Sequence, residues 1–316
     1  MTRISGLPYI LIVLAGLIWG VTFSLTIIAT ADAIHPIVLA TAQSIICSVL
    51  FALVCMITGI RPFRLKNLRY YVVLAVLGIS APNLLYFFAA SHLSAGILSI
   101  TVSTVPMLTY LLAWMLKLES LEWKRASGIV LGMLAILLLV LPDNGLESSD
   151  ASFWTLAVLV CAICYSIENL YISEGIDESV EIRELLCGSN IVAAVFLIPV
   201  MSFQGFDFVP LFLQSNTVWA IFGISVCSTM AYMIFFYTIR ISGPVFASQC
   251  AYIVTLAGVL WGIVLLSEVH SFWVWVSVAI MLAGLALVSP VEKPVAKPET
   301  KPGREAGKLA ADVENP

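Results

Sequence analysis

Charge is scarce in this chain. Only 11% of its 316 residues are Asp, Glu, Lys or Arg, against about a quarter in an ordinary soluble protein. A surface facing water needs more than that, so most of the chain must have lipid as its solvent. The net charge of −4 comes with no basic patch, which excludes nucleic acid as a partner. No Walker A motif or other nucleotide-binding pattern occurs, so ATP does not drive its activity directly. The seven cysteines (Cys47, Cys55, Cys161, Cys164, Cys187, Cys227 and Cys250) all fall within apolar runs, where they read as small hydrophobes. Cys161 and Cys164 form a C-x-x-C with neither a second ligand pair nor a His nearby, so no metal or other cofactor is expected.

What the chain has in abundance is apolar sequence: 61% of residues are hydrophobic. A membrane span takes about 20 apolar residues. Ten runs meet or approach that length, at about 7–30, 36–59, 70–90, 96–116, 126–142, 153–173, 185–204, 217–239, 244–266 and 272–290. Ala29-Thr30-Ala31 looks like a signal-peptidase site, but the run from Leu7 to Ile28 exceeds an ordinary signal core and reads as a retained helix. With the N-terminus inside and ten alternating spans, all 15 basic residues fall in cytoplasmic segments. That expectation puts both termini in the cytoplasm of a multi-pass inner-membrane protein. Residues 291–316, rich in Pro, Lys, Glu and Ala, read as a disordered cytoplasmic tail.

Ten spans divide into two fives, and an odd number of spans forces the second five to sit inverted in the membrane. A shift of 149 residues aligns Ser94–Leu138 with Gly243–Leu287, pairing Ser99 with Ser248, Val105 with Val254, Leu111 with Leu260 and Glu119 with Glu268. Each stretch has a span, a Glu at the water boundary and a short span ending in Leu141-Pro142 or Ser289-Pro290. The expected fold is therefore all-α and integral to the membrane. Its units are a first five-helix repeat at 1–142, a second at 143–290 and the tail.

These features resemble the drug/metabolite transporter superfamily, in particular its ten-helix branch built of two EamA-type repeats. The resemblance rests on Leu17-Ile18-Trp19-Gly20, on Ser94–Pro142 with Pro106 and Leu118-Glu119, and on Ser242–Pro290 with Leu266-Ser267-Glu268. It covers about residues 7–290. The second half departs from the pattern at Tyr165-Ser166, where Trp-Ala or Trp-Gly is usual, and at Thr255, opposite Pro106. The resemblance implies a secondary carrier that exports small metabolites such as amino acids or related compounds. An importer of a vitamin or sulfur compound fits the same architecture.

Among the residues themselves, Glu168 is the one acid or base placed within a span. A carboxylate at mid-helix costs roughly 2.5–3.5 kcal/mol, so Glu168 either serves a pathway or snorkels to cytoplasmic water a short way along its helix. With Tyr165 one turn back and Asn169 beside it, it could hold a substrate amine or take up a proton; uncoupled facilitation is the other option. Trp19, Asn83, Tyr86, Tyr232 and Tyr252 are further cavity candidates, and Asn83 and Tyr232 correspond under the 149-residue shift. Gln43, Asn190 and Gln249 also need partners within the bundle. Pro106, which removes a backbone bond inside the fourth span, is a hinge candidate.

The remaining features have plainer readings. Gly16/Gly20, Gly128/Gly132 and Gly258/Gly262 form G-x-x-x-G pairs suited to close helix packing. Glu119 and Glu268 read as boundary charges, and Glu174, Asp177, Glu178, Glu181 and Glu184 as one solvated cytoplasmic face. An integral-membrane lipid-modifying enzyme would cluster His, Asp or Arg at the boundary, whereas His35, His92 and His270 fall apart from such companions. The expected partners are a small-molecule substrate and the lipid bilayer, and a monomer and a homodimer are both compatible with the sequence.

Overall fold

The computed structural model describes residues 6–140, 149–177, 179–242, 247 and 249–288. The tail, the two Pro-terminated helix ends and Glu178 lie outside the described residues, which are helical and include no strand. Eight helices are long and apolar enough to cross a membrane: α1 (Leu7–Thr30), α2 (Pro36–Ile57), α3 (Leu65–Ala90), α4 (Ala95–Met115), α5 (Trp123–Val140), α6 (Ser149–Gly175), α7 (Ile182–Phe203) and α8 (Ser215–Ser242). Two shorter apolar helices of 17 residues follow, α9 (Cys250–Leu266) and α10 (Phe272–Val288).

Uninterrupted apolar sequence makes these helices, and local chemistry trims them. Pro36 starts α2, where His35 Nδ1 accepts the Ile37 N–H at 3.3 Å. Gly59, at a φ of +70°, follows its last turn. Buried hydroxyls donate back to their own helix: Thr41 to the Ile37 carbonyl at 2.6 Å, Ser44 to Ala40 at 2.9 Å and Ser189 to Leu185 at 2.7 Å. Each of these three hydroxyl hydrogens is thereby satisfied in an apolar medium. Asn190 does the same, donating to the Leu186 carbonyl at 2.8 Å instead of crossing to another helix.

Helices α3 and α4 are interrupted. Pro82 cannot donate to the Gly78 carbonyl and crowds it, and the turn widens into a π-helix over Ala75–Ser80, with the Ala81 N–H reaching back to Val76. In α4, Pro106 leaves the Val102 carbonyl without its donor, and the helix breaks at Ser103–Thr104 into Ala95–Val102 and Val105–Met115.

Contacts fix how the helices run past one another. Asp32, Leu25 and Trp19 of α1 and its end meet Thr217, Gly223 and Tyr232 in turn, so α1 and α8 are antiparallel. Pro82 and Gly78 of α3 meet Cys161 and Glu168, so α3 and α6 are antiparallel too. The second helices α2 and α7 pack together, as do α4 with α9 and α5 with α10. The glycine pairs sit at such crossings: Gly16 and Gly20 against Ile253 and Ala257, Gly128 against Gly284, and Gly258 against Ser99. The Thr255 hydroxyl pairs with that of Ser103, inside the break of α4, while Ser99 donates to the Thr255 carbonyl at 3.3 Å.

Two acids differ from expectation. Glu184 is not on a solvated face: it is 0% exposed. Its Oε1 accepts from Asn67 Nδ2 and from the Tyr71 hydroxyl, both at 2.6 Å, and Arg64 Nε lies 3.3 Å from its Oε2. It fastens the start of α7 to the start of α3. Glu268 is more than a boundary charge: it accepts from the Ala95 N–H at 2.6 Å and the Gly96 N–H at 3.2 Å, capping α4, with His270 Nε2 at 3.2 Å. A carboxylate at two free N–H groups also opposes the positive end of the helix dipole. Glu119 keeps its boundary role, partly exposed and 3.3 Å from Arg125 Nη1.

Burial pushes the Glu268 carboxyl up, but hydrogen bonds from His270, Ala95 and Gly96 outweigh this and hold it below its ordinary value. The ionised form is therefore the stabilising one. Its contribution is complete above the ordinary Glu range of about 4.3 and is lost as pH falls through the depressed value. Glu268→Gln should lower the thermal midpoint of the purified protein at neutral pH, by an amount that shrinks toward zero on acidification. Glu184→Ala should cost about 3–5 kcal/mol, the range for breaking a buried pair. Glu184→Gln, which keeps an acceptor for Asn67 and Tyr71, should cost clearly less. Thermal melts in detergent compare the two.

Candidate functional site

The interruption in α3 builds one wall of the candidate site. A π-turn carries one residue more than an α-turn, which sets back everything after it by about 100°. Gly78, inside that segment, and Asn83, beyond it, are brought closer in angle than the roughly 140° of an uninterrupted helix. Gly78 has no side chain, and the Glu168 carboxylate lies directly against its backbone, where a Cβ would sit. Five residues further along α3, Asn83 Oδ1 accepts from the Tyr165 hydroxyl at 3.4 Å, and its Nδ2 donates to Gln43 Oε1 at 3.4 Å. Helices α2, α3 and α6 are thus joined by one polar chain.

A second group beside Glu168 is aromatic. Trp19 meets Tyr232 edge-on at 5.1 Å between ring centres and Phe235 at 5.4 Å, and Phe236 stacks on Tyr232 at 6.2 Å. Tyr165 and Tyr232 both lie close enough to Glu168 to interact with it electrostatically. Glu168 is surrounded by protein yet only half-buried by surface, as befits a group lining an internal space. Among the described residues no hydrogen bond or ion pair reaches its carboxylate, so it forms no structural bridge there.

The structure therefore brings together Trp19, Asn83, Tyr165, Glu168 and Tyr232. Tyr86, one turn past Asn83, borders the same group, beside Phe23 and Cys161. Asn169 is exposed and stands apart. Tyr252 also stands apart, packed against the apolar cluster of Met107, Val259 and Met281. Pro106 lies at the break of α4, where Ser166 of α6 donates to the Val105 carbonyl at 3.1 Å. Gln249 is exposed. Gly78 and Phe235 are additions; the sequence signal for Gly78 was its position four residues before Pro82.

At one end of the bundle a cavity of about 720 Å³ opens among Asp32, His35, Phe88, His92, Phe206 and Asp207. His35 stacks on Phe206 at 4.1 Å and His92 on Trp154 at 4.6 Å. Phe88 is ten residues beyond Gly78 on α3, so this helix runs about 15 Å from the buried carboxylate to the cavity rim.

A bundle of apolar helices enclosing a small polar and aromatic group is the architecture of a membrane transporter. The chain belongs to the EamA-like transporter family, whose model matches residues 6–141 and 152–289. It is 24% identical over 285 residues to the uncharacterized inner membrane transporter YedA of Escherichia coli K12, covering 86% of this chain and 87% of that one. It is also 24% identical over 301 residues to the S-adenosylmethionine/S-adenosylhomocysteine transporter of Chlamydia muridarum, covering 90% and 92%. One solved crystal structure overlays with a TM-score of 0.64 at 15% identity, over 98% of this chain and 99% of that one, and bears on the fold alone.

A methyl at position 78 would occupy the space of the Glu168 carboxylate, so Gly78→Ala must displace it. The expected result is a fall of about tenfold or more in cargo flux, in line with the cost of a misplacement near 1 Å in a binding site. Flux into proteoliposomes, normalised to folded protein by size-exclusion chromatography, measures it.

Proposed function

We propose that this transporter is a secondary carrier that moves small metabolites, amino acids or related compounds, outward across the inner membrane by alternating access. The observation that carries this reading is the convergence of Trp19, Asn83, Tyr165, Glu168 and Tyr232 on one interior site. That site draws on both halves of the chain, α1, α2 and α3 from one and α6 and α8 from the other. Such a location suits a group that must be reached from each side in turn. Inner-membrane placement is supported by the named location of the Escherichia coli relative.

The same reading takes all ten helices as spans and the two fives as inverted repeats. Equivalent packings support it. The first helix α1 lies against α8 and α9, and its counterpart α6 lies against α3 and α4, the counterparts of those two. Counterparts α4 and α9 run antiparallel, with Ala95 at Glu268, Ser99 at Gly258 and Ser103 at Thr255. Inverted halves require that relation. Both termini are placed in the cytoplasm. In support, Arg64 and Lys66 at the start of α3 and Arg183 at the start of α7 lie at one end of the bundle, while Asp32, just after α1, meets Thr217 in the first turn of α8 at the other. Pro106 and the break beside it form the proposed hinge.

A second reading, import of another small metabolite on the same architecture, has in its favour the Chlamydia muridarum relative named for S-adenosylmethionine and S-adenosylhomocysteine. Proteoliposomes holding the purified protein decide between these readings. Counterflow of radiolabelled amino acids is expected, with Tyr165→Phe and Asn83→Ala each raising the half-saturating concentration about threefold to thirtyfold, as for one lost hydrogen bond. No counterflow of amino acids, alongside counterflow of adenosyl compounds, would favour the second. If cells lacking the gene accumulate the cargo internally, the direction is export.

A further inference from the structure

The acids fixed in this structure have partners, Glu184 and Glu268 among them, and one acid set deep in the bundle does not. The Glu168 carboxylate has no hydrogen bond or ion pair among the described residues, and neither the Tyr232 nor the Tyr86 hydroxyl makes a hydrogen bond there. Buried polar groups in folded proteins are paired as a rule, and an acid inside a membrane segment faces a pathway or a counter-charge. The basic side chains described, such as Arg64, Lys117, Arg125 and Arg183, belong to the helix ends and the connections. Arg64, Arg125 and Arg183 are engaged there with Glu184, Glu119 and Glu181. Among the described residues the site thus has one carboxyl group, no cation beside it, and the rings of Trp19, Tyr232 and Phe235 close by.

Resting on the reading of this site as the transport site, we propose that the cargo is a small organic cation. Its positive centre is held by Glu168 and its apolar flank by Trp19 and Tyr232. A carboxylate offers the charge-assisted acceptors that an ammonium or guanidinium needs, and the ring faces of Trp and Tyr attract the same charge through their quadrupoles. Neither feature recognises an anion, which a carboxylate repels and a ring face does not attract. A neutral molecule would leave the carboxylate without a partner. Gly78 fits this role, because the absent side chain lets the Glu168 carboxylate lie directly against α3. Asn83 and Tyr165, already bonded to each other, orient rather than neutralise.

The test uses the full-length protein in nanodiscs and a matched set of probes titrated by calorimetry. Phenethylamine, phenyltrimethylammonium and benzylguanidine carry a positive charge beside a ring; 2-phenylethanol is neutral and 3-phenylpropanoate anionic. At least one cation should bind about tenfold or more tighter than the alcohol, and the anion should bind weakest. Glu168→Gln should remove the preference, lowering cation affinity at least tenfold while leaving the alcohol within about twofold. Glu168→Asp should retain it, which guards against a Gln variant that fails to fold. Trp19→Leu should weaken the cations more than the alcohol. Failure of every cation to bind, or a cation preference that survives Glu168→Gln in folded protein, overturns the proposal. If the alcohol or the anion binds best and loses affinity in Tyr165→Phe and Trp19→Leu, the charge assignment falls and the site stands. If binding is indifferent to all these substitutions, the site itself lies elsewhere.

Discussion

Lipid is the solvent for the middle of this protein, and that constraint decides where most of its polar atoms go. Without solvent to satisfy them, hydroxyls and amides turn back onto their own helices, as Thr41, Ser44, Ser189 and Asn190 do. Three carboxylates show the other solutions available. Glu184 gathers an amide, a phenol and a guanidinium and becomes a fastening between α3 and α7. Glu268 accepts two backbone N–H groups and becomes a helix cap. Glu168 has neither arrangement among the described residues, and its carboxylate lies against the bare backbone of Gly78 instead.

Two prolines connect this constraint to shape. Each removes a backbone donor that lipid cannot replace. At Pro82 the helix answers by widening into a π-turn, which rotates Gly78 toward the carboxylate. At Pro106 it answers by breaking, and the Ser103, Thr255 and Ser166 hydroxyls collect around the gap. The irregular backbone is therefore confined to places where neighbouring helices supply partners. Both places border α6, the helix that carries Glu168.

The helices and their approximate limits were legible in the sequence, because twenty apolar residues in a row leave few alternatives. Glu168 was also visible, as an acid in the wrong solvent. Its surroundings were less so. The pairing of Asn83 with Tyr165 spans 82 residues of sequence, and no local pattern encodes it. Asn169, adjacent to Glu168, looked equivalent on paper, but one residue is about 100° around a helix, and that turn takes it to an exposed face. Tyr252 failed for a similar reason, since an aromatic in a membrane helix packs against apolar neighbours as readily as it lines a cavity. Glu184 was misread because four other acids near it suggested a solvated run. Only the fold shows that Arg64, Asn67 and Tyr71 converge on it.

The cap on α4 has a consequence for how the protein is made. Ala95 and its acceptor Glu268 are separated by 173 positions. At about 5–20 residues per second of synthesis, the ribosome needs roughly 9–35 s after completing the first turn of α4 before it adds the acid that satisfies it. During that interval Ser94 alone serves this end of the helix, through its bond to the Ile97 N–H. The first half thus enters the membrane with an unfinished helix start, and only the arrival of the α9–α10 connection completes it. Assembly of the halves is in this sense a step in the folding of the first, and the nascent chain has a built-in reason to wait for its own end.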